Sequence, residues 1–208
     1  MPADERTPID PSRTGLVLFD LLERYRSGIE EAGAIAPCQR LIEACRATGV
    51  PLFYARADHR PDGADLASAP TDTDSRFRAW TEDYRPPTLP GLASGSFETQ
   101  VVAELAPLPG DYDIPKHRWN AFFQTCLELS LRSRGINTVL IVGGSTHVGI
   151  ASTVYYGRDA DFDMVVVRDG LTGFQEQRAF FVDKVFPRVC RVRTSEQVVA
   201  DLFAASSA

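Results

Sequence analysis

The chain of 208 residues has no run of basic side chains, and its net charge is −6 at pH 7. Nucleic acid and anionic membrane surfaces are therefore not expected partners. Long apolar runs are missing too. "TVLIVGG" and "DMVVVRD" fall far short of the roughly 20 residues that cross a bilayer. The four cysteines, Cys38, Cys45, Cys126 and Cys190, form neither a paired CxxC site nor a dense disulfide framework. They read as reduced, buried thiols of a cytoplasmic protein. Only three histidines occur, His59, His117 and His147, and none is spaced as His-x-x-x-His. A catalytic zinc needs three protein ligands, so no metal and no other cofactor is expected; Asp58 with His59 is the nearest approach to a ligand pair. There is no GxGxxG fingerprint, no internal repeat and no low-complexity tract. The opening "MPADERTPIDPSRTG" lacks the apolar centre of a signal peptide. It reads as a loose arm over residues 1–13 of a single domain spanning 1–208.

What is present is an alternation of short apolar runs and amphipathic stretches. Strands are expected at 14–22, 50–56, 112–116, 138–144, 163–170 and 188–194. Helices are expected at 37–49, 97–107, 122–135, 147–160, 175–186 and 195–205, the last capped by Thr194 or Ser195. Such alternation specifies an α/β fold with a mainly parallel sheet covered on both faces. Residues 57–95, rich in Asp, Pro, Gly, Ser and Thr, form a long connection of the kind that covers a site. Phe77, Trp80 and Tyr84 within it suit a segment that packs down.

In open parallel sheets ligands bind beyond the carboxyl ends of the strands. Three candidates lie there: Asp20, Lys116 and the turn "GGSTHVG" at 143–149. A carboxylate at the end of a buried strand is costly unless paired or protonated. An Asp and a Lys brought together at strand ends would tune one another. Asp20 also suits a turn or helix cap, and Lys116 a surface lysine at a strand exit. Gly143 and Gly144 permit close backbone approach, to a ligand or in a strained turn.

These residues carry a resemblance. "LVLFD" with Asp20, "RADHRPDGADL", the block "ELAPLPGDYDIPKHRWNAFFQTCLELSLRSRGINTVLIVGG" and "STHVGIASTVYYGRDADFDMVVVRDG" resemble the isochorismatase-like hydrolases, over about residues 14–203. The resemblance implies a three-layer αβα Rossmann-like sandwich around six strands. It implies homodimers or homotetramers acting on small molecules. In the amidase branch it implies a Cys–Asp–Lys triad, with Asp20 and Lys116 as two members. The peptide matching Gly144–Ser145 is cis in many relatives. The thiol nucleophile would stand where this chain has Gly149. True isochorismatases also carry glycine there, and the resemblance then implies an acid-catalysed, non-covalent hydrolysis in which Asp20 delivers the proton. Lys116 would hold a substrate carboxylate, and Gly149 would leave room for the substrate. The chain departs from that branch as well: Ser145 replaces a substrate-contacting tyrosine, and Ala57-Asp58-His59 stands where a glutamine is expected.

Three readings follow. The first is a hydrolase of a small anionic molecule that uses Asp20 and water, with Gly144, Ser145, Thr146, His147, Trp119, Arg56 and His59 binding substrate. The second makes Ser145 or Thr146 the nucleophile, with His147 badly placed as its base, because neighbours on a helix do not face each other. The third is an inactive family member that binds a ligand or assembles with a partner. Arg56 and Arg118 are candidate carboxylate clamps or structural ion-pair partners. Phe122 and Phe123 read as core and pocket wall, Tyr155 and Tyr156 as packing residues.

Overall fold

The computed structural model describes residues 8–67 and 92–206. Six strands, β1 (Thr14–Phe19), β2 (Leu52–Ala57), β3 (Tyr112–Lys116), β4 (Thr138–Gly143), β5 (Asp163–Leu171) and β6 (Arg191–Arg193), form one sheet. The order is β3-β2-β1-β4-β5-β6 and every pairing is parallel. Seven α-helices among the described residues are α1 (Arg26–Glu31), α2 (Ile35–Ala47), α3 (Leu127–Arg132), α4 (Ala151–Asp159), α5 (Gln175–Phe180), α6 (Phe186–Val189) and α7 (Ser195–Ser206). None is long and apolar enough to cross a membrane.

Alternate strand residues feed two cores, because side chains on a strand point to opposite faces. Leu16, Leu18, Leu140, Val142, Val165 and Val167 pack with Leu41, Cys45, Val198 and Leu202 on the α2–α7 side. Val17, Phe19, Val139, Ile141 and Val166 pack with Leu127, Leu131, Ile150 and Val154 on the α3–α4 side. Burial on both faces explains why β1 and β4 read as unbroken apolar runs. The strand order reverses between β1 and β4, and such a switch point is where open α/β sheets place their ligands.

Three expectations are corrected. Residues 97–107 are not one helix but two short turns, Phe97–Thr99 and Ala103–Leu105. Their backbone is recruited by the chain after β1: Val101 bridges Leu22, Glu23 N donates to Gln100 O and Val102 N to Leu21 O. The helix expected from 122 begins only at Leu127, because Gln124 lies in the left-handed region (φ 55°) and the Thr125 hydroxyl receives Leu127 N. Cys126 is thereby exposed, not core. The N-terminal arm is anchored by Ile9, which is fully buried. Thr194 caps α7: its hydroxyl accepts from Gln197 N, and Gln197 Oε1 accepts from Thr194 N, a reciprocal capping box.

Candidate active site

Asp20 directly follows β1 with φ 47°, in the left-handed region. For a non-glycine residue such geometry costs about 1–3 kcal/mol and clusters at functional sites. Its Oδ1 accepts a hydrogen bond from Ala57 N at 2.6 Å and its Oδ2 from Lys116 Nζ at 2.6 Å. The pair is nearly enclosed, with side-chain exposures of 11% for Asp20 and 4% for Lys116. Lys116 Nζ also lies 4.3 Å from the centroid of the Phe19 ring, within cation–π range. β1, β2 and β3 lie side by side, so their ends bring together groups 96 positions apart in the chain.

The turn after β4 forms the opposite wall. Gly143 has φ 99°, and an added Cβ would collide with the Phe19 carbonyl; one at Gly144 would collide with Thr172. The glycine pair therefore lets three strand ends close on one another, with Gly144 N donating to Phe19 O. The Gly144–Ser145 peptide is cis. Residues Thr146–Ile150 form one wide helical turn leading into α4.

Thr146 is fully buried and its hydroxyl donates to Thr172 O at 2.7 Å, which makes it a structural tie. Ser145 faces the pocket, and its Oγ lies 3.2 Å from His147 Nδ1. His147, expected to be badly placed beside Ser145, thus lies within hydrogen-bonding distance of it. Ser145 is extended (φ −80°, ψ 137°) and precedes the helical turn, so the rule for helical neighbours does not govern it.

Gly149 also faces the pocket, but it does not leave room for a substrate. A Cβ there would lie 2.5 and 2.6 Å from two carbons of the Phe19 ring. The aromatic ring, not a ligand, fills the space that glycine vacates.

Between these walls lies a cavity of about 490 Å³. Asp20, Lys116, Gly144, Ser145, Gly149 and Trp119 line it, as do Phe19, Arg24, Tyr25, Ser27, Thr172 and Gly173. Trp119 is 56% exposed, at the mouth. Arg24 and Tyr25 escape sequence reasoning; the only signal was their place four and five residues after Asp20. Arg24 meets Glu98 at 3.4 Å with both side chains solvated. The Tyr25 phenol is pushed up to about 12 by desolvation, with the Asp20 charge adding to it. It stays a neutral donor at working pH.

Other expected contacts lie outside this cavity. Arg56 is held in a bidentate pair by Asp113, at 2.6 and 2.7 Å, with Asp58 at 3.2 Å. It is a structural partner of β3, not a pocket clamp. Arg118 donates to the carbonyls of Asp65 and His117. His59 joins Asp65 and His117, not Asp58: Nδ1 of His59 and of His117 lie 3.4 and 3.0 Å from the Asp65 carboxylate. Ligand atoms of the three lie within 4.8 Å of one another, and this is the group among the described residues with the donor types to hold a metal ion. Burial holds the His59 imidazole below its usual range, with Asp65 opposing. Phe77, Trp80 and Tyr84 lie outside the described residues.

Comparison with known proteins identifies the family and the fold. The model of the Isochorismatase domain matches residues 14–197. The chain belongs to the isochorismatase family. Among the relatives of this family member, the isochorismatase family protein YecD of Escherichia coli O157:H7 is 29% identical over 196 residues, covering 92% of this chain and 97% of YecD. The ureidoacrylate amidohydrolase RutB of Rhizobium rhizogenes is 29% identical over 206 residues, covering 90% and 84%. Among solved structures, a cysteine hydrolase from Pseudomonas syringae pv. phaseolicola superposes with a TM-score of 0.80 at 21% identity, covering 96% and 97%. N-carbamoylsarcosine amidase from Thermoplasma acidophilum gives 0.67 at 22% identity, covering 88% and 97%. The isochorismatase family is one of hydrolases, and its six-stranded α/β fold is the one described above.

Proposed function

We propose that this isochorismatase-family protein hydrolyses a small, anionic molecule by acid–base catalysis at Asp20, with Lys116 as its electrostatic partner and without a cysteine intermediate. The observation that carries the reading is the Asp20 carboxylate itself. It accepts from the Lys116 ammonium and from Ala57 N, each at 2.6 Å, and still faces the cavity. In this reading Asp20 exchanges a proton with a water molecule at the cavity wall. The amide-hydrolysing relative RutB supports an amide-type bond as the one that is cleaved. A cysteine at position 149 would require the Phe19 ring to shift. Arg24, solvated and loosely held by Glu98, is the guanidinium at hand for a substrate carboxylate.

The test is product formation followed by NMR. Purified protein is incubated with isochorismate and with a panel of small amides and ureido acids, beside Asp20→Asn. Turnover of an amide or ureido acid that disappears in the nearly isosteric variant supports the reading. Retained turnover in Asp20→Asn overturns it. Saturable binding without product from any compound would favour the ligand-binding alternative.

A further inference from the structure

Among the described hydroxyl side chains that line the pocket, Ser145 is the one with a histidine within hydrogen-bonding reach. Thr146 is spent on Thr172 O, and Thr172 is nearly buried. Ser145 is different. Its side chain reaches the cavity that Asp20 and Lys116 share, and its Oγ stands 3.2 Å from His147 Nδ1. That is hydrogen-bonding reach for a nucleophile and its base.

One feature positions the His147 ring and another leaves room for the Ser145 hydroxyl. The His147 ring packs near Phe174 and Phe181, with centroids 6.2 and 6.5 Å away. On the other side, a Cβ on Gly173 would come within 3.0 Å of Ser145 Oγ, so glycine there keeps the hydroxyl free to turn.

We infer that Ser145 and His147 form a nucleophile–base dyad, and that the pocket takes an acyl donor, an amide or ester of a small acid. The inference rests on the reading above only for its second half. As Oγ bonds to the carbonyl carbon, the Oγ proton passes to Nδ1 of His147. The bond from carbon to the leaving nitrogen or oxygen then breaks, and the leaving group departs with that proton. A serine ester remains. Asp20 takes one proton from a water molecule whose oxygen adds to the ester carbonyl. The carbon–Oγ bond breaks, Oγ regains the proton from Asp20, and the acid is released. The sum is substrate plus water giving acid plus amine or alcohol.

The experiment needs no substrate. Purified full-length protein is treated with a fluorophosphonate, which phosphonylates activated serines, and is read by intact mass and peptide mapping. One adduct on Ser145 is expected. It should be absent in Ser145→Ala and about 100-fold slower in His147→Gln, the usual worth of a general base. The same label should persist in Asp20→Asn, since Asp20 serves only the second half. In case Ser145→Ala fails to fold, Ser145→Cys provides the second readout: its new thiol should react with iodoacetamide faster than Cys126. No adduct on folded wild-type protein, or labelling untouched by His147→Gln, overturns the dyad. Failure of the dyad with Asp20-dependent turnover intact leaves direct attack by water. A labelled Ser145 with turnover indifferent to Asp20→Asn sinks the Asp20 reading instead.

Discussion

The ring of Phe19 occupies the position that a side chain on residue 149 would need, with two ring carbons 2.5 and 2.6 Å from an added Cβ. Phe19 is itself fixed from below, being buried in the core between β1 and α3–α4. Gly149→Cys alone is therefore expected to overpack the site and to cost about 1–3 kcal/mol. The double variant Phe19→Leu, Gly149→Cys should recover most of that loss. Urea unfolding of the two proteins measures it. A Gly149→Cys protein as stable as wild type would show that the ring yields freely.

Lys116 is an almost fully enclosed ammonium whose charge is met by Asp20 at 2.6 Å. Removing one member of such a pair leaves the other enclosed without a partner. Lys116→Met is expected to destabilise the protein by about 3–5 kcal/mol. Asp20→Asn, which keeps an acceptor for Ala57 N, should cost less. Thermal unfolding of both variants decides the order.

Thiol reactivity should separate the cysteines. Cys38 and Cys45 are fully buried, and Cys126 is exposed at the start of α3. One thiol per chain is expected to react rapidly with a disulfide reagent, with the half-buried Cys190 slower, and Cys126→Ser should abolish the fast phase. Cys38 and Cys45 should react only as the protein unfolds.

The same buried thiols set an alkaline limit. Burial pushes Cys38 and Cys45 from 9.0 up to about 12. Above pH 9 the unfolded chain releases these protons while the folded chain keeps them. The folded state then binds more protons, so stability falls as pH rises from 9 towards 12, by about 1 kcal/mol per pH unit for each thiol. Below pH 9 this contribution is fully present. Cys45→Ala is expected to flatten the decline between pH 9 and 11 in denaturant titrations. An unchanged slope would contradict the assignment.

Asp20 and Lys116 were legible because each ends an apolar run, and a charge in that position either marks a strand exit or is met by a partner. The strands and their order of appearance were legible for the same reason: burial on both faces writes itself as continuous hydrophobic sequence. The reading of 97–107 as a helix failed because the hydrogen bonds that decide it come from Leu21, Leu22 and Glu23, some 80 positions earlier. Periodicity within a segment carries no record of a distant backbone.

The sequence by itself determined the α/β class, the parallel sheet, the absence of cysteine at position 149 and the two charges at strand ends. Only the tertiary structure decided what surrounds them. Phe19 fills the space at Gly149, Arg24 and not Arg56 faces the cavity, Asp65 and not Asp58 joins His59, and Ser145 meets His147. Each of these depends on where strand ends and turns come to lie against one another. That is set by the packing of the whole sheet and by backbone angles such as those of Asp20, Gly143 and Ser145, which no local pattern of residue types encodes.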